Sequence, residues 1–180
     1  MTQVAEILDF WFALEAEARW FETDAAFDQE IGERFRADYE RAAGGGLADW
    51  QSSPEGVLAL ILLLDQFPRN MFRGTARAFA TDDAAAEVAE RAIADGFDHG
   101  LSAAQCRFLY MPFQHSESLA RQRRSVELFR RLNLPKSLDY AERHLRVIER
   151  FGRFPHRNKT LGRTSTPEEE AFLAGPNAPY

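Results

Sequence analysis

At 180 residues, with 45% hydrophobic and 12% aromatic side chains, the chain has the composition of a folded protein and the length of one domain, residues 1–180. Its 22 basic and 28 acidic groups give a net charge of −6, and its single cysteine, Cys106, excludes an internal disulfide and a thiolate zinc cage. The segment before Glu6 and Asp9 has no basic n-region, and the longest apolar run, Val57–Leu64, is too short for a bilayer, so a soluble cytoplasmic protein without a membrane partner is expected.

Helical spacing recurs along the chain, and no stretch alternates at period two for the length of a strand. Val4, Ile7, Leu8 and Trp11 mark a first short helix. Phe27, Ile31, Phe35 and Tyr39 step by four along a second, which Gly44-Gly45-Gly46 ends. Ser52-Ser53-Pro54-Glu55 opens a third with a capping serine, an early proline and a glutamate placed for a capping box. That helix continues through Leu64 and is expected to stop before Pro68. Being apolar on every side, it should be central and buried.

Thr81-Asp82-Asp83 opens an alanine-rich helix that Gly96 closes. Ser102-Ala103-Ala104-Gln105 opens the next, which Pro112 is expected to end; Cys106 reads there as small core filling. Two more helices follow, from about Ser116 to Leu132 and from about Ser137 to Phe151, with Gly152 as a stop. Thr166-Pro167-Glu168-Glu169 introduces a short last helix. About eight helices joined by short Pro/Gly turns make an all-α fold of antiparallel pairs.

The charge is unevenly distributed. Residues 1–100 carry 8 basic and 20 acidic groups, and residues 101–180 carry 14 and 8. No aromatic stacking pattern or nucleic-acid reader motif accompanies the basic part, so nucleic acid is not an expected partner. The two parts should instead attract each other across the fold.

Sites are expected where a chain breaks its own local rules. Asp65 ends the apolar helix at the negative end of the helix dipole, and after eight apolar residues it needs a buried partner; Arg69, Arg73 or Arg157 can serve. His115, Leu119, Gln122, Val126 and Phe129 share one helical stripe, which sets His115 and Gln122 among core-facing residues. Ser116 reads as the cap of that helix and Glu117 as a first-turn acid. His144 falls beside Ala141, Leu145 and Ile148 and also points inward, with a backbone carbonyl as its simplest partner.

Two segments echo each other. Phe67-Pro68-Arg69-Asn70 resembles Phe154-Pro155-His156-Arg157-Asn158, and each follows a helix. They contribute Gln66, Arg69, Asn70, His156, Arg157 and Asn158, and guanidinium and amide groups on turns suit a carboxylate or phosphate. The bland alternative is that they satisfy orphan carbonyls at helix ends. The chain has no phosphate loop, nucleophile elbow or HExxH pattern. His115 and Glu117 are two apart and share no helix face, and nearby arginines oppose a cation, so neither metal nor cofactor is expected.

Phe10-Trp11-Phe12, Arg19-Trp20-Phe21, Leu63-Leu64-Asp65-Gln66-Phe67-Pro68-Arg69-Asn70, Tyr110-Met111-Pro112-Phe113-Gln114-His115-Ser116-Glu117-Ser118 and Arg150-Phe151-Gly152-Arg153-Phe154-Pro155-His156-Arg157-Asn158 together resemble the signatures of a bacterial domain of unknown function, family 924. The resemblance covers nearly the whole chain. It implies a tetratricopeptide-like, right-handed helical array around the buried apolar helix, and no activity or ligand. The tetratricopeptide repeat of about 34 residues is not visible in the sequence.

Two functions fit. In the first, an interior pocket takes a small anionic ligand: Asp65 and His115 do acid/base chemistry, Arg69 and Arg157 bind the anion, and Gln66, Asn70, Gln122, His144, His156 and Asn158 complete the binding set. In the second, stacked helices grip a partner protein and the polar residues are internal bracing. The first predicts that Asp65, His115, Gln122 and at least one Phe-Pro turn meet in one cluster, and it fails if His115 and Asp65 lie on opposite sides of the molecule.

Overall fold

The computed structural model describes residues 3–175, so Met1, Thr2 and residues 176–180 of the expected domain lie outside the described residues. Among the described residues there are helices and turns and no strand. The elements that matter below are α1 (Gln3–Trp11), α2 (Leu14–Glu17), α3 (Ala25–Ala43), α4 (Pro54–Ile61), α5 (Phe67–Met71), α6 (Asp82–Ala94), α7 (Ala103–His115), α8 (Leu119–Leu132), α9 (Pro135–Phe151) and α10 (Pro167–Leu173). The eight expected helices all form, and the one-turn pieces α2 and α5 are additional.

Local chemistry explains most boundaries. The Asp24 carboxylate accepts from the Ala26 and Phe27 N–H groups and starts α3, which buries Phe27, Ile31, Phe35 and Tyr39. Reciprocal capping boxes start α7, through Ser102 and Gln105, and α10, through Thr166 and Glu169. Ser53 caps α4 by accepting from Gly56 N–H at 3.2 Å, but the expected capping box is absent, because glycine and not glutamate occupies the third helical position. Gly56 is needed there for space: a Cβ would lie 2.2 Å from the Trp50 carbonyl oxygen.

As expected, α4 is buried on every side and lies at the centre, packed against α1, α6 and α7. Around it Phe10, Trp11, Phe27, Phe35 and Phe67 form a continuous aromatic layer, with Phe35 and Phe67 centroids 5.0 Å apart. Such rings supply much of the apolar area that a helical core buries.

Two proline expectations are overturned. The apolar helix does not stop before Pro68. It widens into one π-helical turn, Leu62–Gln66, and runs on into α5, with the Phe67 N–H bonding back to the Leu62 carbonyl. A proline at 68 offers no N–H to the Leu64 carbonyl. The Thr81 hydroxyl donates to that carbonyl instead, at 2.5 Å, so the chain can turn without leaving it unpaired. Consequently Thr81, expected to open α6, makes no side-chain cap there.

Pro112 likewise does not end its helix, which continues to His115. Phe113 and Gln114 beyond it are buried, so packing outweighs the roughly 3 kcal/mol that an interior proline costs. His115 is therefore the last residue of α7 and not the first of the α8 stripe. Gln122, Val126 and Phe129 do face inward from α8, while Leu119 is exposed. Ser116 and Glu117 lie in the link between the helices, and the Ser116 hydroxyl accepts from Ser118 N–H.

Candidate functional site

The π-helical turn packs against α3, α6 and α7 and carries Asp65 into the middle of them. Single π turns concentrate at functional positions because they re-aim one or two side chains within a rigid helix. Asp65 is fully buried. Its Oδ1 accepts from His115 Nδ1 at 2.7 Å and lies 3.2 Å from Arg69 Nη1, and its Oδ2 accepts from Gln66 Nε2 at 2.5 Å. Gln66 also touches the Met111 sulfur at 3.5 Å, which ties α7 to the same turn.

Arg69 reaches forward to α6. It grips Asp82 with both terminal nitrogens, each at 2.9 Å. Arg157 donates to the same carboxylate at 3.0 Å from 75 positions along the chain. Its guanidinium lies between the Phe79 and Phe154 rings, 4.6 and 4.5 Å from their centroids. The two Phe-Pro segments thus send an arginine each to one aspartate.

Their asparagines also behave alike. Asn70 donates to Asp28 in the first turn of α3, and Asn158 donates to Glu169 in the first turn of α10. Each of these carboxylates takes a second, two-pronged grip from an arginine, Arg73 on Asp28 and Arg153 on Glu169.

The electrostatics follow from burial and proximity. Burial alone would raise the Asp65 carboxyl, but His115 and Arg69 outweigh it and hold the group below its ordinary range. Burial, helped by Arg69, lowers the His115 imidazole below its usual value, with Asp65 opposing. At neutral pH the pair is therefore a carboxylate beside a neutral imidazole. Because a carboxylate can only accept, Nδ1 carries the proton and Nε2 is the basic nitrogen. Burial also pulls Arg157 down to about 10, against the attraction of Asp82.

The structure brings Asp65, His115, Gln66, Arg69 and Arg157 together, with one Phe-Pro turn directly on each side of Asp82. The remaining sequence candidates lie outside this contact set. Gln122 donates to the carbonyls of Phe113, Gln114 and Ser116, so it fastens the end of α7. His144 donates to the Tyr140 carbonyl at 2.8 Å and meets Phe154 edge-on. His156 packs on Phe154, and burial pushes it down to about 4. Asn70 and Asn158 hold helix starts, as described.

The expected interior pocket is filled by these mutual contacts. Access is from the surface, where the Arg69 and His115 side chains keep 21% and 15% exposure. A groove of about 350 Å³ opens between α6, α7 and α8, and none of the five site residues lines it.

Sequence reasoning missed Asp82, because an acid in the first turn of a helix already has a sufficient local explanation. It also read Glu117 as a first-turn acid. Glu117 instead takes Arg163 in a two-pronged pair at 2.8 and 3.0 Å and accepts from Phe154 N–H, locking the α7–α8 link onto the second Phe-Pro turn.

A family model described as a bacterial protein of unknown function (DUF924) matches residues 7–177. The solved structure of a protein of unknown function from Agrobacterium tumefaciens is similar at 46% identity and a TM-score of 0.90, over 95% of this chain and 96% of that one. No curated protein matches the chain.

Proposed function

This chain belongs to the DUF924 family of bacterial proteins, and from the site its sequence folds we propose that it is an acid/base catalyst acting on a small anionic molecule. His115 is the proton carrier and Asp65 its orienting carboxylate. The observation behind this reading is the 2.7 Å bond from His115 Nδ1 to a fully buried Asp65. A histidine oriented in this way offers Nε2 as a base, and the carboxylate stabilises the imidazolium as it forms.

The anionic character of the substrate rests on charge balance. Asp65 and Asp82 offset Arg69 and Arg157 while His115 is neutral, so a proton arriving on His115 leaves one positive charge without a counterion. An anion at the outer edge of Arg69 supplies it. Arg157 retains an Nε–H with no acceptor, which gives the same corner a further donor. Both guanidinium groups already hold Asp82, so the anion shares them with that carboxylate.

The test is thermal melting in inorganic phosphate, citrate or a sugar phosphate, against chloride at matched ionic strength. A ligand at a hundredfold excess over its dissociation constant stabilises the native state by about 2.7 kcal/mol, or roughly 5–10 °C for a chain of this size. Arg69→Gln and Arg157→Gln should lose the shift, and exposed Arg91→Ala should keep it. The nuclear magnetic resonance titration of His115 should move to higher pH with the anion present, since a nearby negative charge favours imidazolium. Equal shifts in all four proteins, or an unmoved His115 titration, would favour a second reading. In that reading the network only braces the fold, which the commitment of both arginines to Asp82 supports.

A further inference from the structure

Three large hydrophobic side chains among the described residues are at least half exposed: Leu14 on α2 at 82%, Phe21 beside Phe108 of α7 at 56%, and Tyr140 of α9, which acts on Arg107 of α7, at 50%. The segment bearing the first two is pinned: Trp20 Nε1 donates to the Trp11 carbonyl at 2.8 Å, and the Trp20 ring meets Phe108 edge-on at 4.7 Å. Phe21, the next residue, is therefore held outward by a rigid base.

Against Phe21 stands Arg107. Its guanidinium lies 4.3 Å from the centre of the Phe21 ring, and Tyr140 is the titratable group that acts on it from α9. Its Nε is buried without an acceptor, and no carboxylate among the described residues pairs with it. A half-buried cation without a counterion is costly, and an anion arriving with apolar surface around it relieves that cost. The segment that bears Phe21 carries the missing charge. Glu15, Glu17 and Glu22 flank Leu14 and Phe21, all three exposed and none in an ion pair.

We propose that this face is a two-fold self-association surface, on which Arg107 of each copy meets the acidic 15–22 segment of a second copy while Phe21, Leu14 and Tyr140 close over the contact. Both charges sit on one patch, which is what an isologous contact requires: residue i meets j, and j meets i. Aromatic side chains and arginine are also the types enriched where interfaces bury most strongly. A partner of another sequence would need an acid to serve Arg107 but would leave the three glutamates without a role.

The experiment is sedimentation velocity on the full chain across a concentration series. The expected species is twice the 20.5 kDa chain mass. Arg107→Glu alone should be monomeric, because it faces acids. The triple variant Glu15→Arg, Glu17→Arg, Glu22→Arg alone should be monomeric, because it faces Arg107. Each should weaken association at least about tenfold, since like charges across an interface cost several kcal/mol. Mixed one to one, the two variants should recover the dimer, as every contact in the mixed pair joins opposite charges. A wild-type chain that stays monomeric throughout overturns the proposal. So does a mixture that stays monomeric while each variant keeps a helical circular dichroism spectrum and a cooperative melt.

Discussion

Asp82 receives two guanidinium groups, one from each Phe-Pro segment, and both arginines are mostly or fully withdrawn from water. Its removal leaves two cations facing each other, with Asp65 and Glu117 left to compensate. Breaking a buried pair by deleting one partner costs about 3–5 kcal/mol, because the remaining charge stays desolvated. Asp82→Ala should therefore lose about that much stability in urea unfolding. Glu40, half exposed and paired with an equally exposed Arg77, should cost less than about 1 kcal/mol when changed to alanine. Comparable losses for the two variants would mean that the network around Asp82 is solvated and cannot hold His115 in place. Asp65 stands in a different position, since its carboxylate meets three side chains, His115, Arg69 and Gln66, and is itself the centre. Its ionisation sets the tautomer of His115.

Among the elements, α4 and α3 show how the same substitution takes opposite signs. Gly32 lies within α3, and a Cβ there meets nothing closer than 3.6 Å, from the flexible end of Arg36. Gly32→Ala should stabilise the protein by about 0.5–1 kcal/mol, as alanine limits the unfolded chain and suits a helix. Gly56→Ala should instead destabilise by about 1–3 kcal/mol, because its Cβ would overlap a backbone carbonyl that cannot move aside cheaply. Midpoints of chemical denaturation moving in the same direction for both would contradict the close approach of α4 to the turn at Trp50. That approach matters to the site, since α4 delivers the π-helical turn that carries Asp65. The turn exists because Pro68 follows it and Thr81 lies opposite, and both conditions are met by residues outside α4.

Over the whole molecule, the acidic first part and basic second part do meet. Asp82 with Arg157, and Asp83 and Glu90 with Arg121, join the two. Proton linkage acts at this scale as well. Burial first, and then neighbouring positive charge, holds His156 at about 4 and His144 at about 3, while an unfolded histidine titrates near 6.5. The folded chain thus refuses protons that the unfolded chain accepts. The resulting stability is fully present above about pH 6.5 and is lost as pH falls towards about 4. Between about pH 7.5 and about pH 5 each histidine should contribute on the order of 1–2 kcal/mol of loss. Urea midpoints should fall over that range, before most carboxylates titrate, and His144→Phe should flatten the fall. An unchanged midpoint would show that these imidazoles are open to water.

Helix starts, glycine stops and the buried run Val57–Leu64 were legible in the sequence because they depend on neighbours within a turn or two. A cap needs a donor three residues away, and an all-apolar helix has no face to give to water. Asp65 and His115 were likewise visible as polar residues among apolar ones, although His115 proved to end α7 and not to begin α8. What the tertiary structure decided was every choice whose partner is distant in the chain. Pro68 and Pro112 could remain within helices because packing, and for Pro68 a threonine 17 residues away from the otherwise unpaired carbonyl, compensated for the missing N–H. Asp82 looked like an ordinary first-turn acid until the fold placed two arginines on it, one of them 75 residues distant. Local rules carry no information about such pairs, because the energy that selects them is the cost of leaving a particular charge buried and alone.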